Sequence, residues 1–218
     1  MRKTIVITGA SRGIGYAATR IFLEQGHHVV ALSRNTHPLK ELEAERCDII
    51  SVDITQQEQL IEVSKRIQEK FERIDVLIHN AGLLINKPFE DTSAEEIHQV
   101  YRVNVFAPMA LTKLLLPLMG VTSHVVSISS MGGVNGTAKF PGLSAYSSSK
   151  GALTIWSELM AEEYKEQGPK FNTLAIGAVQ TEMLEAAFPG YQAPLTPEQM
   201  AAYIVHFALE GHSIYNGK

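Results

Sequence analysis

A short β-rich run, Ile5-Val6-Ile7, leads straight into Thr8-Gly9-Ala10-Ser11-Arg12-Gly13-Ile14-Gly15, and this junction restricts the possible folds more than any other stretch. Glycines there permit a tight turn, a close approach of backbone to an anion and close packing of a helix on a strand. A helix starting in the turn would aim unsatisfied N–H groups and the positive end of its dipole at a phosphate. The spacing is G-x-x-x-G-x-G rather than G-x-G-x-x-G. Taken alone, it fits an ordinary glycine-rich strand-to-helix turn as well as a pyrophosphate cradle.

The chain then alternates between two periodicities. Ile14, Ala17, Ala18, Ile21 and Phe22 recur at helical spacing with Gly26 placed as a C-terminal cap, and Val29-Val30-Ala31-Leu32 reads as a buried strand. Ile49-Ile50-Ser51-Val52-Asp53 predicts a third strand, and Thr55-Gln56-Gln57-Glu58 has the pattern of a capping box opening a helix striped by Leu60, Val63, Ile67 and Phe71. Ile74-Asp75-Val76-Leu77-Ile78 predicts a fourth strand. It runs into His79-Asn80-Ala81-Gly82, where small residues would let a cofactor ring approach the backbone.

Ser93-Ala94-Glu95-Glu96 is a second capping box, opening a long helical pattern through Val100, Val103, Val105 and Leu111. Pro108 lacks an N–H and frees a carbonyl one turn back, which predicts a bend near residue 104, and Pro117 interrupts the pattern again. Val125-Val126-Ser127-Ile128-Ser129-Ser130 reads as strand five, residues 131–143 as a glycine-rich loop, and Ser144 as the start of a helix reaching toward Gly168. Phe171-Asn172-Thr173-Leu174-Ala175-Ile176 reads as strand six, residues 177–195 as an irregular flap, and Thr196-Pro197-Glu198-Gln199 as the capped start of a last helix. This alternation predicts an α/β fold: a Rossmann-like, doubly wound parallel sheet of six strands with helices on both faces. Residues 1–218 read as a single dinucleotide-binding catalytic domain.

Composition narrows the function. A net charge of −4 with 19% charged residues lacks the basic excess that nucleic acid or an anionic membrane surface demands. No run approaches the roughly 20 apolar residues that span a bilayer, and the apolar run after Arg2 and Lys3 is too short for a secretory signal. Cys47 is the sole cysteine, which excludes an intrachain disulfide or a cysteine-rich metal site and fits a reducing cytoplasm. The histidines show no H-E-x-x-H or comparable ligand spacing, so no metal is expected.

The second strand ends at Ser33-Arg34, where the adenosine ribose of a bound dinucleotide would lie. An acid there would hydrogen-bond the 2′-hydroxyl of NAD, whereas a cation suits the 2′-phosphate of NADP. Arg34, joined by Arg12 in the glycine turn, therefore predicts NADP(H). Tyr146 and Lys150 stand four apart on the helix from Ser144, so both project from one face. A nearby ammonium favours the phenolate, which would bring a phenol toward useful acid–base strength. Ser130, at the end of strand five, could donate a hydrogen bond to the same substrate oxygen, with Ser129 the neighbouring candidate.

From Thr8 to about Thr181 the sequence resembles the short-chain dehydrogenase/reductase family. The resemblance rests on T-G-x-x-x-G-x-G, Asp53, Asn80-Ala81-Gly82, Asn104, Ser130 and the Y-x-x-x-K pair, in the family's order. It implies that Tyr146 is the general acid in carbonyl reduction and the base in alcohol oxidation, while Ser130 polarises the substrate oxygen. By the same resemblance, Lys150 holds the nicotinamide ribose and lowers the tyrosine pKa, and Asn104 supports a water that relays protons to Lys150. Gly9, Ser11, Arg12, Gly13, Ile14 and Gly15 would then line the phosphates, Asp53 and Ile54 the adenine, Asn80, Ala81 and Gly82 the cofactor middle, and Val179 and Thr181 the carboxamide.

The sequence departs from the family pattern in four places. His79 stands where the family usually has asparagine, Ile176-Gly177 replaces Pro-Gly, and the interval from Ser130 to Tyr146 is longer than usual. After Ile214-Tyr215-Asn216-Gly217-Lys218 a seventh strand is expected to be missing or truncated, which favours a homodimer made through the long helices after Glu95 and Ser144 over a tetramer. The expected partner is a small-molecule carbonyl or alcohol, and the apolar residues Met183, Leu184, Phe188 and Tyr191 suggest a hydrophobic or aromatic one, or serve only to pack the flap. The alternative is an NADP-binding regulator or sensor without turnover, although such a protein has no need of Ser130, Tyr146 and Lys150. A sugar-nucleotide epimerase or dehydratase fits less well, because fewer than forty residues follow Thr181 for a substrate region.

Overall fold

The computed structural model describes residues 1–42 and 44–218. Strand β1 (Thr4–Thr8) lies inside the sheet, paired with β2 (His28–Ser33) on one side and β4 (Val76–His79) on the other. Beyond them come β3 (Cys47–Ser51), then β5 (His124–Ser130) and β6 (Lys170–Ile176), all parallel, in the order β3-β2-β1-β4-β5-β6. The winding reverses between β1 and β4, so a crevice opens there at the carboxyl ends of the strands.

Eight α-helices connect and cover the strands among the described residues: α1 (Gly13–Glu24), the single turn α2 (His37–Lys40), α3 (Gln57–Lys70), α4 (Ala94–Tyr101), α5 (Ala107–Leu115), α6 (Ser144–Glu163), α7 (Glu182–Ala187) and α8 (Pro197–Glu210). On one face of the sheet Ile5, Ile7, Val29 and Val76 pack with Phe22 of α1 and Ile204 and Val205 of α8. On the other, Val6, Val30 and Leu77 pack with Leu60 and Ile67 of α3 and Leu111 of α5. Successive residues of a strand point to opposite faces, and both faces are covered, which is why the strands read as unbroken apolar runs.

The capping boxes at Ser93 and Thr196 both form, each side chain accepting from the N3 backbone while the N3 side chain answers. The one expected at Thr55 does not. Helix α3 starts at Gln57 with Gln56 at the cap position, and the Thr55 hydroxyl donates to Asp53 Oδ1 at 2.8 Å instead. The bend predicted near residue 104 takes the form of a π turn, Arg102–Phe106, between α4 and α5. Pro108 sits in the first turn of α5, and its missing N–H leaves the Asn104 carbonyl without an α-helical donor.

Helix α6 stops at Glu163 rather than near Gly168, and the Gly168 N–H closes the end by donating to the Tyr164 carbonyl at 3.0 Å. The flap is not wholly irregular, because α7 forms within it, too short for its periodicity to be read. Thr181 caps α7 by accepting the Leu184 N–H at 3.2 Å.

Six strands are present, as expected, and the C-terminal residues run along the outer edge of β6. Gly217 N donates to Phe171 O at 2.7 Å and Thr173 N to Lys218 O at 2.6 Å. Asn172 braces the same segment, its Nδ2 donating to Tyr215 O and its Oδ1 accepting from Lys218 N. Among the described residues no helix is long and apolar enough to cross a membrane.

Candidate active site

The glycine turn closes around groups that leave no room for side chains. Gly9 and Gly13 have φ of +67° and +52°. A Cβ on Gly9 would lie 2.9 Å from the Ala81 Cα, and one on Gly15 would lie 2.2 Å from the Gly9 carbonyl oxygen and 2.4 Å from Asn80 Nδ2. The Thr8 hydroxyl accepts the backbone N–H groups of Asn80 and Ala81, both at 3.1 Å, and Asn80 Nδ2 donates to the carbonyls of Thr8 and Gly9. The Asn80 side chain is thus spent on fastening β4 to the turn.

At the β2 end of the crevice the hydroxyls of Ser11 and Ser33 meet at 2.7 Å. Arg12 and Arg34 beside them are exposed and line one cleft together with Asp53 and Ile54. Neither arginine enters a salt bridge among the described residues. Asp53 shapes the cleft wall, its carboxylate accepting both the N–H and the hydroxyl of Thr55.

At the other end Ser130, Tyr146 and Lys150 line the same cleft. Lys150, 3% exposed, donates to the Ile128 carbonyl at 2.7 Å, and its ammonium lies 5.8 Å from the centre of the Tyr146 ring. Of the two neighbouring serines, Ser129 is buried and donates to the Lys150 carbonyl at 3.0 Å, whereas Ser130 lines the cleft with Tyr146 and its hydroxyl accepts the Gly132 N–H at 3.3 Å. Burial pushes the phenol's pKa up, and the nearby Ser130 hydroxyl only partly offsets it. The expectation of a lowered tyrosine pKa therefore does not hold. The lysine meant to lower it is itself pushed down to about 8 by burial.

Asn104 is fully buried at the π turn. Its Oδ1 accepts the Leu83 N–H at 2.8 Å, and its Nδ2 donates to the Leu83 carbonyl and the Ser149 hydroxyl, each at 2.9 Å. This clamp brings Asn104 and Lys150 to the same glycine: a Cβ on Gly82 would lie 3.5 Å from both Asn104 Oδ1 and Lys150 Nζ. The Asn104 side chain is thus spent on holding Leu83 and Ser149. His79, the departure from the family's asparagine, is buried and joined to the Thr112 hydroxyl at 2.7 Å, tying β4 to α5. Burial and then the Lys150 charge push its pKa down to about 3, so it stays neutral.

Val179 is buried and paired with Leu195, while Thr181 roots the flap over the glycine turn, its Cγ2 lying 3.3 Å from where a Gly13 Cβ would be. The cleft measures about 2120 Å³, beyond the roughly 300–1,000 Å³ of a site for one small ligand, and so has room for a dinucleotide and a second molecule. Among the described residues no group of three or more His, Cys, Asp or Glu is placed to hold a metal. Sequence reasoning missed Leu83, Ser149 and Ile128. Two of these act through backbone groups, which carry no residue signature.

Comparison with known proteins agrees with this geometry. The short chain dehydrogenase family matches residues 3–192, and the chain belongs to it. An oxidoreductase from Botryotinia fuckeliana (BOA17) is 32% identical over 95% of this chain and 76% of its own. A ketoacyl reductase from Nostoc sp. (HetN) is also 32% identical, over 93% and 74%. Among solved structures, a short chain dehydrogenase from Shigella flexneri in complex with NADP superposes with a TM-score of 0.89 at 27% identity, covering 99% of this chain and 94% of that one.

The buried lysine has a measurable cost. Because its folded pKa, about 8, lies below the ordinary 10.5, the unfolded chain binds the extra proton between those values. Relative to Lys150→Met, the wild type should be flat below pH 8 and gain about 3 kcal/mol of stability as pH rises from 8 to 10.5. Urea unfolding of both proteins across that range checks this, and a pH-independent difference would contradict the burial argument.

Proposed function

We propose that the protein is an NADP(H)-dependent oxidoreductase that interconverts a carbonyl compound and a secondary alcohol through Ser130, Tyr146 and Lys150. The supporting observation is that these three side chains share one cleft with a glycine turn in which Gly9 and Gly15 have no room for a Cβ. That turn fits a dinucleotide pyrophosphate, with Gly9, Ser11, Arg12, Gly13, Ile14 and Gly15 around it. Arg34 and Arg12 supply cations suited to a 2′-phosphate, and the Shigella flexneri relative holds NADP. Asp53 and Ile54 would flank the adenine, Asn80, Ala81 and Gly82 the cofactor middle, and Val179 and Thr181 the carboxamide.

When bound, the nicotinamide supplies or accepts the hydride. The phenol of Tyr146 gives its proton to the substrate oxygen in reduction and takes it back in oxidation. Its raised pKa keeps it protonated at neutral pH, which suits reduction. Ser130 hydrogen-bonds the same oxygen as its charge grows. Lys150, anchored to the Ile128 carbonyl, would offer its remaining N–H groups to the ribose hydroxyls of the bound nucleotide. Phe140, Met183, Leu184, Phe188 and Tyr191 make the substrate wall largely apolar, which suits a hydrophobic or aromatic carbonyl.

Residues 1–218 act in this reading as one catalytic domain, in the cytoplasm, where the lone Cys47 would stay a thiol. The domain pairs with a second copy through α4, α5 and α6. Ile155 and Leu159, one turn apart on α6, and Phe106 in the adjoining π turn are 57%, 61% and 56% exposed, an apolar surface suited to such a partner.

NADPH oxidation should be seen with some member of a panel of activated apolar aldehydes and diketones, and Tyr146→Phe should lower it by at least about a hundredfold. Nucleotide binding without turnover across the panel would indicate a sensor instead. Arg34→Ala should reduce the preference for NADPH over NADH by about tenfold or more, measured as the ratio of kcat/KM values, and an unmoved ratio would count against the phosphate role. Sedimentation equilibrium should give a dimer, and a monomer or tetramer would reject the helical interface.

A further inference from the structure

The flap, residues 177–195, forms one side of the cleft through Met183, Leu184, Ala187 and Phe188. Its hydrogen bonds are almost all internal: Gln180 N to Leu195 O, Ala193 N to Gln180 Oε1, Gly190 N to Glu185 Oε1 and the Thr181 cap of α7. Among the described residues, one hydrogen bond leaves this segment for the body of the protein, from Asn86 Nδ2 to the Ala187 carbonyl at 2.8 Å. Asn86 stands on the loop after β4 and is exposed.

The other end of the same amide rests on the 131–143 loop, whose Phe140 and Leu143 also line the cleft. A Cβ on Gly142 would lie 2.1 Å from Asn86 Oδ1, and Gly142 has φ +83°, so only glycine lets that loop approach. The neighbouring Lys87 N–H donates to the Gly142 carbonyl at 3.0 Å, fastening the two loops by their backbones. Asn86 is therefore held firmly on one side and bound to the flap by a single exposed hydrogen bond on the other. Such a bond is worth little enough to break on every catalytic cycle.

We propose that Asn86 is a positioning residue, the clasp that holds the flap closed across the cleft and whose release sets how fast nucleotide and product leave. The identity of what passes rests on the oxidoreductase reading; the clasp itself does not. Asn86→Asp keeps the size but offers an oxygen to the Ala187 carbonyl, and Asn86→Ala removes the group. In both, hydrogen exchange of the amides in residues 184–188 of the full chain should quicken about three- to tenfold, with the strands unchanged. Dissociation of NADPH, followed by its fluorescence after mixing with excess NADP, should quicken by a similar factor, and KM should rise while kcat does not fall. Unchanged protection of residues 184–188 in Asn86→Asp, or exchange that quickens throughout the sheet, would overturn the clasp. Faster exchange with unchanged NADPH release would overturn its control of departure. A wild type that neither binds nor oxidises NADPH would defeat the oxidoreductase reading while the exchange measurement still decided the clasp.

Discussion

The arrangement of the whole site depends on contact between β1 and β4 just past their carboxyl ends. There the Thr8 hydroxyl receives two backbone N–H groups, Asn80 answers with two bonds to the turn, and Gly9 and Gly15 let the segments touch. Each bond alone contributes about 1 kcal/mol. Their joint effect is geometric, because they fix the separation of the strands where the winding reverses. Everything downstream inherits that separation: Gly82 follows Asn80 by two residues, and Asn104 and Lys150 both come close to it.

The second constraint is a charge held away from water. Lys150 is surrounded by a satisfied polar chain: the Ile128 carbonyl accepts a hydrogen bond from its ammonium, Ser129 and Thr154 donate to its carbonyl, and Ser149 holds Asn104 beside it. Such a chain limits the penalty of burying the ammonium but does not abolish it, and a well-packed apolar residue would serve stability better. The depressed lysine and the elevated tyrosine share one cause, desolvation, acting on a cation and on an acid in opposite directions.

The fold was largely legible because its signals are local and repeated. Unbroken apolar runs mark strands buried on both faces, and Ser93 and Thr196 announce helices through side chains that bond three residues away. Thr55 shows the limit of such signals, since an acid two residues upstream competes for the same hydroxyl and wins. In the site, residue types and spacing pointed to Ser130, Tyr146 and Lys150. They could not reveal how Asn104 and Asn86 are used, because both bond backbone groups brought close only by folding. Nor could spacing four apart settle the tyrosine's acidity, which depends on how much water each group loses.

The segment laid along β6 has a meaning apart from the chemistry. A parallel sheet ends in a row of bare N–H and C=O groups, and such a margin invites strands from other molecules. Here Phe171 and Thr173 already spend theirs on Gly217 and Lys218, with Asn172 fastening the cover from beneath. The chain thereby covers part of one of the two open edges of its sheet, which leaves fewer bare backbone groups there for another strand to pair with.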